Sequence, residues 1–270
     1  MDDRVTFVPN AIHVGAVVHS KVEVDDSYEK KLDRMADEDD PRIIVERWER
    51  HARQRKTATV LRARDGVVEQ ASVRYDESSE LFLLEGVARY PPETPIARHD
   101  YLVSAAPDGP TAEGQGGGTV TPDELAMIQT DEAGIGAPDP WQVGAPTGTL
   151  GPGDTAPSLG PAIKRLLDRW AVGGGGYRPT PCRMEIHFRA PRTRASQREA
   201  VFDVTVQDEA TTKDWSTPSV DLAGQVVLRL PDGRPIELHL SGKTSKGART
   251  MEGPRTESGV IDLRVTWMYR

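Results

Sequence analysis

The sequence has a single cysteine, Cys182. It can form no intramolecular disulfide and no cysteine-based zinc cage. A nucleophilic role for Cys182 would need an activating partner. His187 lies five positions on in the same extended run, and residues five apart on a strand face opposite sides. Cys182 is therefore read as a small, half-buried thiol. Aromatic residues are scarce, at 6%. No apolar run approaches the roughly 20 residues that a membrane helix needs. The start, Met1-Asp2-Asp3-Arg4-Val5, lacks a basic segment followed by an apolar one, so no secretory signal is expected in the chain as it stands. Positive charge is in deficit, with a formal net charge of -8. That balance argues against general affinity for nucleic acid or anionic membranes, which need a basic surface. Eight of the 34 basic residues are lysine, and the arginine excess is read as a bias of genome composition.

Catalytic and metal motifs are lacking too. The six histidines, His13, His19, His51, His99, His187 and His239, form no His-x-x-x-His or His-Glu-x-x-His pair. No Gly-x-Ser-x-Gly elbow is present, and no Ser-x-x-Lys opens a helix. Residues 241–247, Ser-Gly-Lys-Thr-Ser-Lys-Gly, lack the spacing of a phosphate loop and have no helix after them, so a flexible hairpin loop is expected there. The glycines at 173–176 read as a helix stop, because dinucleotide binding needs a strand before and a helix after. The acidic stretch 25–40 has no central glycine, which a calcium loop requires. A solvated loop or weak exposed helix is expected instead. Arginines crowd residues 42–64 and 183–198, where glutamates dilute them. Charged polar faces of this kind blunt sheet edges.

What the chain does have is alternation. Met184, Ile186 and Phe188 alternate with polar residues, as do Phe202, Val204 and Val206. Leu222, Gly224, Val226, Leu228 and Leu230 share one face, followed by Ile236, Leu238 and Leu240. Ile261, Leu263, Val265, Trp267 and Tyr269 close the series. Strict period two with a polar opposite face predicts antiparallel sheet covered on one side. Asp65-Gly66 and Asp232-Gly233 are hairpin signals, since type I′ turns need positive φ. Segments 5–9, 12–24, 57–64, 67–75 and 101–103 read as extended, and Leu81-Phe82-Leu83-Leu84 as a buried strand. Residues 41–55 fit either a helix or a strand, with strand favoured for the later half.

Two helices are predicted. Thr121-Pro122-Asp123-Glu124 carries a cap, a first-turn proline and a capping box. Leu125 and Ile128 would face inward and Gly134 would end the helix. The second starts at Ser158, with Leu159, Ile163, Leu166, Leu167 and Trp170 on one stripe. The fold class is mainly β within α+β. It comprises antiparallel curved sheets or a half-barrel, with short helices near 121–133 and 158–172. A β-rich half at 1–133 and another at 158–270 flank a Pro/Gly-rich linker at 134–157, in which Trp141 is the obvious anchor. The halves share a layout of apolar-Gly start, connection and meander, which leaves one sheet or two duplicated ones open.

Three stretches carry a resemblance: Tyr101-Leu102-Val103, Gly118-Thr119-Val120-Thr121-Pro122-Asp123-Glu124-Leu125, and Leu150-Gly151-Pro152-Gly153-Asp154. Over residues 56–270 the chain resembles uncharacterised β-rich bacterial envelope proteins with two similar halves. The resemblance implies an exported or lipid-anchored protein with no assigned activity. The chain departs from it in starting without an export signal. The location implied is periplasmic or envelope-associated if a signal peptide has been removed, and cytoplasmic otherwise.

The expected function is a non-enzymatic binding or carrier protein for a hydrophobic small molecule or lipid. A curved sheet closed by an amphipathic helix forms an apolar pocket. Leu166, Trp170, Phe188, Phe202 and Trp267 are its candidate lining. The alternative is a protein–protein interaction or scaffold module without a small ligand. A remote third is an enzyme whose site assembles from His99, Asp100, His187 and His239. No cofactor, metal or nucleic acid is expected.

Overall fold

Long period-two runs become long strands. A computed structural model describes residues 3–8, 12–34, 42–89, 92–170, 182–208, 219–250 and 253–270. The first half supplies β1 (Val5–Phe7), β2 (Val17–Arg34), β3 (Arg42–Arg64), β4 (Val67–Leu84), β5 (Val87–Ala88), β6 (Asp100–Ser104) and β7 (Thr111–Gly114). A crossover follows, with α1 (Pro122–Asp131), α2 (Pro140–Gly144), β8 (Gly148–Leu150), a 3₁₀ turn (Pro157–Leu159) and α3 (Gly160–Trp170). The second half supplies β9 (Cys182–Arg194), β10 (Gln197–Asp208), β11 (Ser219–Arg229), β12 (Pro235–Thr250) and β13 (Gly253–Tyr269).

Eleven of these strands form one antiparallel sheet, in the order β7-β6-β4-β3-β2-β13-β12-β11-β10-β9, with β5 on β4. The chain starts its large sheet at the centre with β2 and meanders to one edge at β7. The helical crossover carries it to the far edge at β9, and it meanders back to the centre. There β13 pairs with β2 from Arg255–Leu32 to Tyr269–Val18. That pairing joins the two β-rich halves. Separately, β1 and β8 make a two-stranded ribbon.

The sheet curls into an unclosed half-barrel. At Gly224 an added Cβ would lie 1.9 Å from the His239 carbonyl oxygen, and at Gly259 it would lie 2.3 Å from that of Ser27. Both positions share the covered face with Leu222 and Ile261. The neighbouring strand folds over that face, where only glycine leaves room.

The covered face carries two cores. One lies under α3 and joins Val22, Val24, Phe188, Phe202, Leu238, Leu240 and Leu263 to Ile163, Leu167 and Trp170 of the helix. The other lies under α1 and gathers Val73, Tyr75, Tyr101 and Val103 around Ile128.

Several expectations need correction. The acidic stretch 25–40 is strand as far as Arg34, since Asp25 and Asp26 take opposite faces of β2; residues 35–40 lie outside the described residues. From Arg42 the ambiguous segment 41–55 is strand throughout. Its apparent four-residue period reflects Trp48 and Ala52 sharing one strand face. Residues 241–247 are no hairpin loop but the middle of β12, where β13 supplies ladder partners throughout and β11 as far as Ser245.

Leu81 to Leu84 are only half-buried. The linker contains a third helix, α2, capped by Asp139. The helix α1 has the expected capping box at Thr121 and Glu124 but ends with its cap at Glu132, two residues short of Gly134. Leu125 is half-buried, while Ile128 is fully buried. Ser158 lies within a 3₁₀ turn that starts at Pro157, and α3 proper begins at Gly160. The glycines at 173–176 lie outside the described residues. The hairpin at Asp65-Gly66 forms as predicted, with φ of 52° and 79°.

Candidate functional site

The five candidate lining residues come together. Trp170, Phe188 and Phe202 are buried in the core under α3, and Leu166 and Trp267 pack against it half-buried. Phe188 and Phe202 stand 5.4 Å apart, ring to ring. Two further rings join them: Phe7, which sequence reading missed, and Trp141, expected only as the anchor of the linker. Phe7 of β1 approaches Phe202 at 6.2 Å. Trp141 of α2 meets Trp267 edge-on at 5.6 Å. Period two in Val5-Thr6-Phe7 was the available signal for Phe7, but three residues are too few to show which face is buried.

The covered face extends past the described part of α3. The 23 residues of β3 span about 75 Å at ~3.3 Å each. The 11 residues of α3 span about 16 Å at ~1.5 Å each. The last described residue of that helix, Trp170, accepts a hydrogen bond through its carbonyl from Arg50 Nη2. One row farther along the strands, on the same face, Tyr28, Trp48 and Leu84 are register partners across β2, β3 and β4. The Tyr28 and Trp48 rings are parallel within 4°, at 6.3 Å. Phe82 adjoins them on β4. All four are half-buried. Val87 of β5, paired with Leu84, extends the row and is exposed. This apolar strip is a group of its own on the covered face, outside both buried cores. Lys30 and Glu46, 2.9 Å apart, bound it on the outer side.

A buried polar seam bounds it on the inner side and fastens the helices to β3. Arg50 Nε donates to Asp26 Oδ2 at 2.7 Å, and Nη1 donates to Glu80 at 3.2 Å. Burial pushes the Asp26 carboxyl up to about 6; Arg50 pulls it down, and Asp25 and Glu80 push it further up. Asp26 Oδ1 has no hydrogen-bond partner. Farther along, Gln54 and Arg169 both donate to Asp131 of α1, at 2.7 and 2.5 Å. Lys56 pairs with Glu132, which also accepts from the Tyr75 hydroxyl at 3.2 Å. Burial, then the charges of Glu132 and Asp131, raise the Tyr75 phenol well above its usual range. At the far end Tyr101 donates to Glu124 at 2.6 Å. That bond, with the Thr121 backbone N–H and His99, holds Glu124 down at about 2.

The open face of the sheet is a field of ion pairs. Asp25 and Asp262 are register partners on β2 and β13. His51 and Arg53 hold the first, at 2.7 and 2.8 Å. His239 and Arg264 hold the second, both at 3.0 Å. Burial, the largest single effect, raises each carboxyl, but the hydrogen bonds and charges of these partners together outweigh it and leave both below the usual range. The arginine-rich stretches are paired in the same way, as in Arg47–Glu29, Arg189–Asp203 and Arg192–Glu199.

The groups considered for an assembled enzyme site are dispersed. His99 binds Tyr101 and Glu124, while His239 binds Asp262. His187 lies on β9 near the Gly153 carbonyl, with β10 and β11 between it and β12. Asp100, on β6, lies 3.8 Å from Arg74. Among the described residues no three of His, Cys, Asp and Glu form a set able to hold a metal ion. No described helix is long and apolar enough to cross a membrane.

No family model and no curated protein matches this chain. Among solved structures three chains match. One is lipovitellin, in a structure concerned with its lipid–protein interactions. The match covers 93% of this chain and 25% of that one, at 7% identity and a TM-score of 0.37. That score is too low to define a shared fold.

Proposed function

We propose that the protein is a non-enzymatic carrier that binds a hydrophobic small molecule or lipid on the covered face of its half-barrel. One observation carries this. The strip Tyr28–Trp48–Leu84, with Phe82, is half-buried apolar surface on the covered face, set off from the core under α3 by Arg50 and its partners Asp26 and Glu80. Apolar and aromatic surface flanked by a few placed polar groups is the usual lining of a ligand site. Aromatic rings supply large contact area at low entropic cost. An envelope location in a bacterium belongs to the same proposal, because a lipid crossing an aqueous compartment needs its chains shielded from water.

Native mass spectrometry of freshly purified protein, compared with the same sample denatured, tests the carrier function. A reproducible extra mass released on denaturation supports it. A bare chain mass that also takes up no added long-chain fatty acid overturns it. A clean multiple of the chain mass points instead to an interaction or scaffold module.

A further inference from the structure

The core under α3 is built from buried side chains, so a hydrophobic ligand that enters it must displace some of them. Most of the described core is held by long ladders. The short strand β1 is held by much less. It pairs with β8 over three residues only, Val5–Leu150, Thr6–Thr149 and Phe7–Gly148. Its partner strand is equally short, with Gly148 at a φ of 85°. One further backbone bond, from Val8 N–H to the Pro231 carbonyl at 2.8 Å, fixes its end.

Against this slight attachment, β1 inserts two side chains deep into the core. Val5 is 2% exposed and Phe7 is 4% exposed. Phe7 packs on Phe202, one of the five candidate lining residues, and approaches Gly233 in the β11–β12 turn. Thr6 points the other way and is exposed, and its hydroxyl lies 2.9 Å from that of Thr149. The outward neighbour Val8 is 63% exposed.

We infer that β1 is a displaceable plug at a second place on the covered face, apart from the strip, and that Val5 and Phe7 occupy the space an acyl chain takes when the carrier is loaded. The inference rests on the carrier function proposed above. Alternate side chains of a strand lie in line, about 7 Å apart. The slot they leave is therefore narrow and linear, suited to an unbranched hydrocarbon chain rather than to a fused ring. Displacement exchanges one apolar filling for another, so the core stays covered in both states. Because the backbone bonds that hold β1 among the described residues are few, it belongs to the low-stability end of the fold, from which moving elements are drawn.

A reversible cross-link tests this without disturbing the core. Thr6→Cys and Thr149→Cys, in a Cys182→Ser background, place two thiols on register partners at an exposed position, within disulfide reach. The probe is a fluorescent long-chain fatty acid, offered free or esterified in phosphatidylcholine vesicles. The reduced protein should bind it as the unmodified chain does. The oxidised protein should bind at least tenfold more weakly, with full recovery on reduction. Amide exchange at Val5–Phe7 should quicken when the probe is bound. Equal affinity in both redox states, with the unmodified chain binding, overturns the plug and leaves the carrier function standing. Failure of every form to bind, the unmodified chain included, overturns both. Binding of the free acid alone identifies a fatty-acid site; uptake from vesicles as well identifies a lipid acyl chain.

Discussion

Asp26 sits on the covered face with one carboxylate oxygen against Arg50 and the other without a partner. Because burial raises its pKa to about 6, the folded chain holds this proton more tightly than the unfolded chain does. The resulting stabilisation is complete below the ordinary value of 3.8 and is lost as pH rises through about 6. A shift of this size corresponds to about 3 kcal/mol. Asp26→Asn should remove that component, so urea titrations between pH 4 and pH 7 should give a flatter stability profile than the parent. An unchanged slope would mean that the carboxylate is better solvated than its packing indicates. The opposite change, Arg50→Met, leaves a buried carboxylate unpaired. At pH 7 it should cost about 3–5 kcal/mol, and clearly less at pH 4, where Asp26 is already neutral. Little in the sequence announced this pair. Asp26 sat in an acidic run and Arg50 in a basic one, and only the register Asp26–Arg50 brings them together.

At the scale of elements, local signals were most reliable where a few adjacent residues decide the outcome. The box Thr121–Glu124 forms as its spacing requires, the Glu124 amide donating to Thr121 Oγ1 and the Thr121 amide to Glu124 Oε2. Thr121→Ala should destabilise the protein by about 1 kcal/mol in a denaturant titration. A smaller loss would show that Ile128 alone holds the helix in place. The stripe of α3 was equally legible, with Ile163, Leu167 and Trp170 buried. Ile163→Ala should cost about 2–5 kcal/mol through loss of burial and the cavity left behind. The elements that escaped notice were short or polar. The five residues of α2 are too few to show a period. The acidic part of β2 has carboxylates where a half-buried strand normally has apolar residues, and cross-strand pairs such as Asp25–Arg53 and Lys30–Glu46 offset that composition.

At the scale of the whole molecule, the pairing of β2 with β13 makes the two β-rich halves complete one another. Each half alone would end in a long unpaired edge at the centre of the sheet. The crossover helices bridge the same seam, since Arg169 of α3 is bound to Asp131 of α1. Residues 1–133 and 158–270 produced separately should therefore show no cooperative thermal transition by circular dichroism, whereas the full chain shows one. A sharp transition in either piece would establish it as an independent domain.

By itself the sequence determined the class of structure and the location of its apolar mass. Period two specifies strands, capping residues specify helix starts, and a bulky stripe specifies which helix face is buried, all within a few residues of one another. It therefore placed Leu166, Trp170, Phe188, Phe202 and Trp267 among the inward-facing residues. The tertiary structure alone decided that these five share one core, that Phe7 and Trp141 join them, and that Tyr28, Trp48 and Leu84 align into a strip. Those groupings depend on strand order and register across segments far apart in the chain. Such pairings are fixed by the packing of the whole sheet, which no short stretch of sequence encodes.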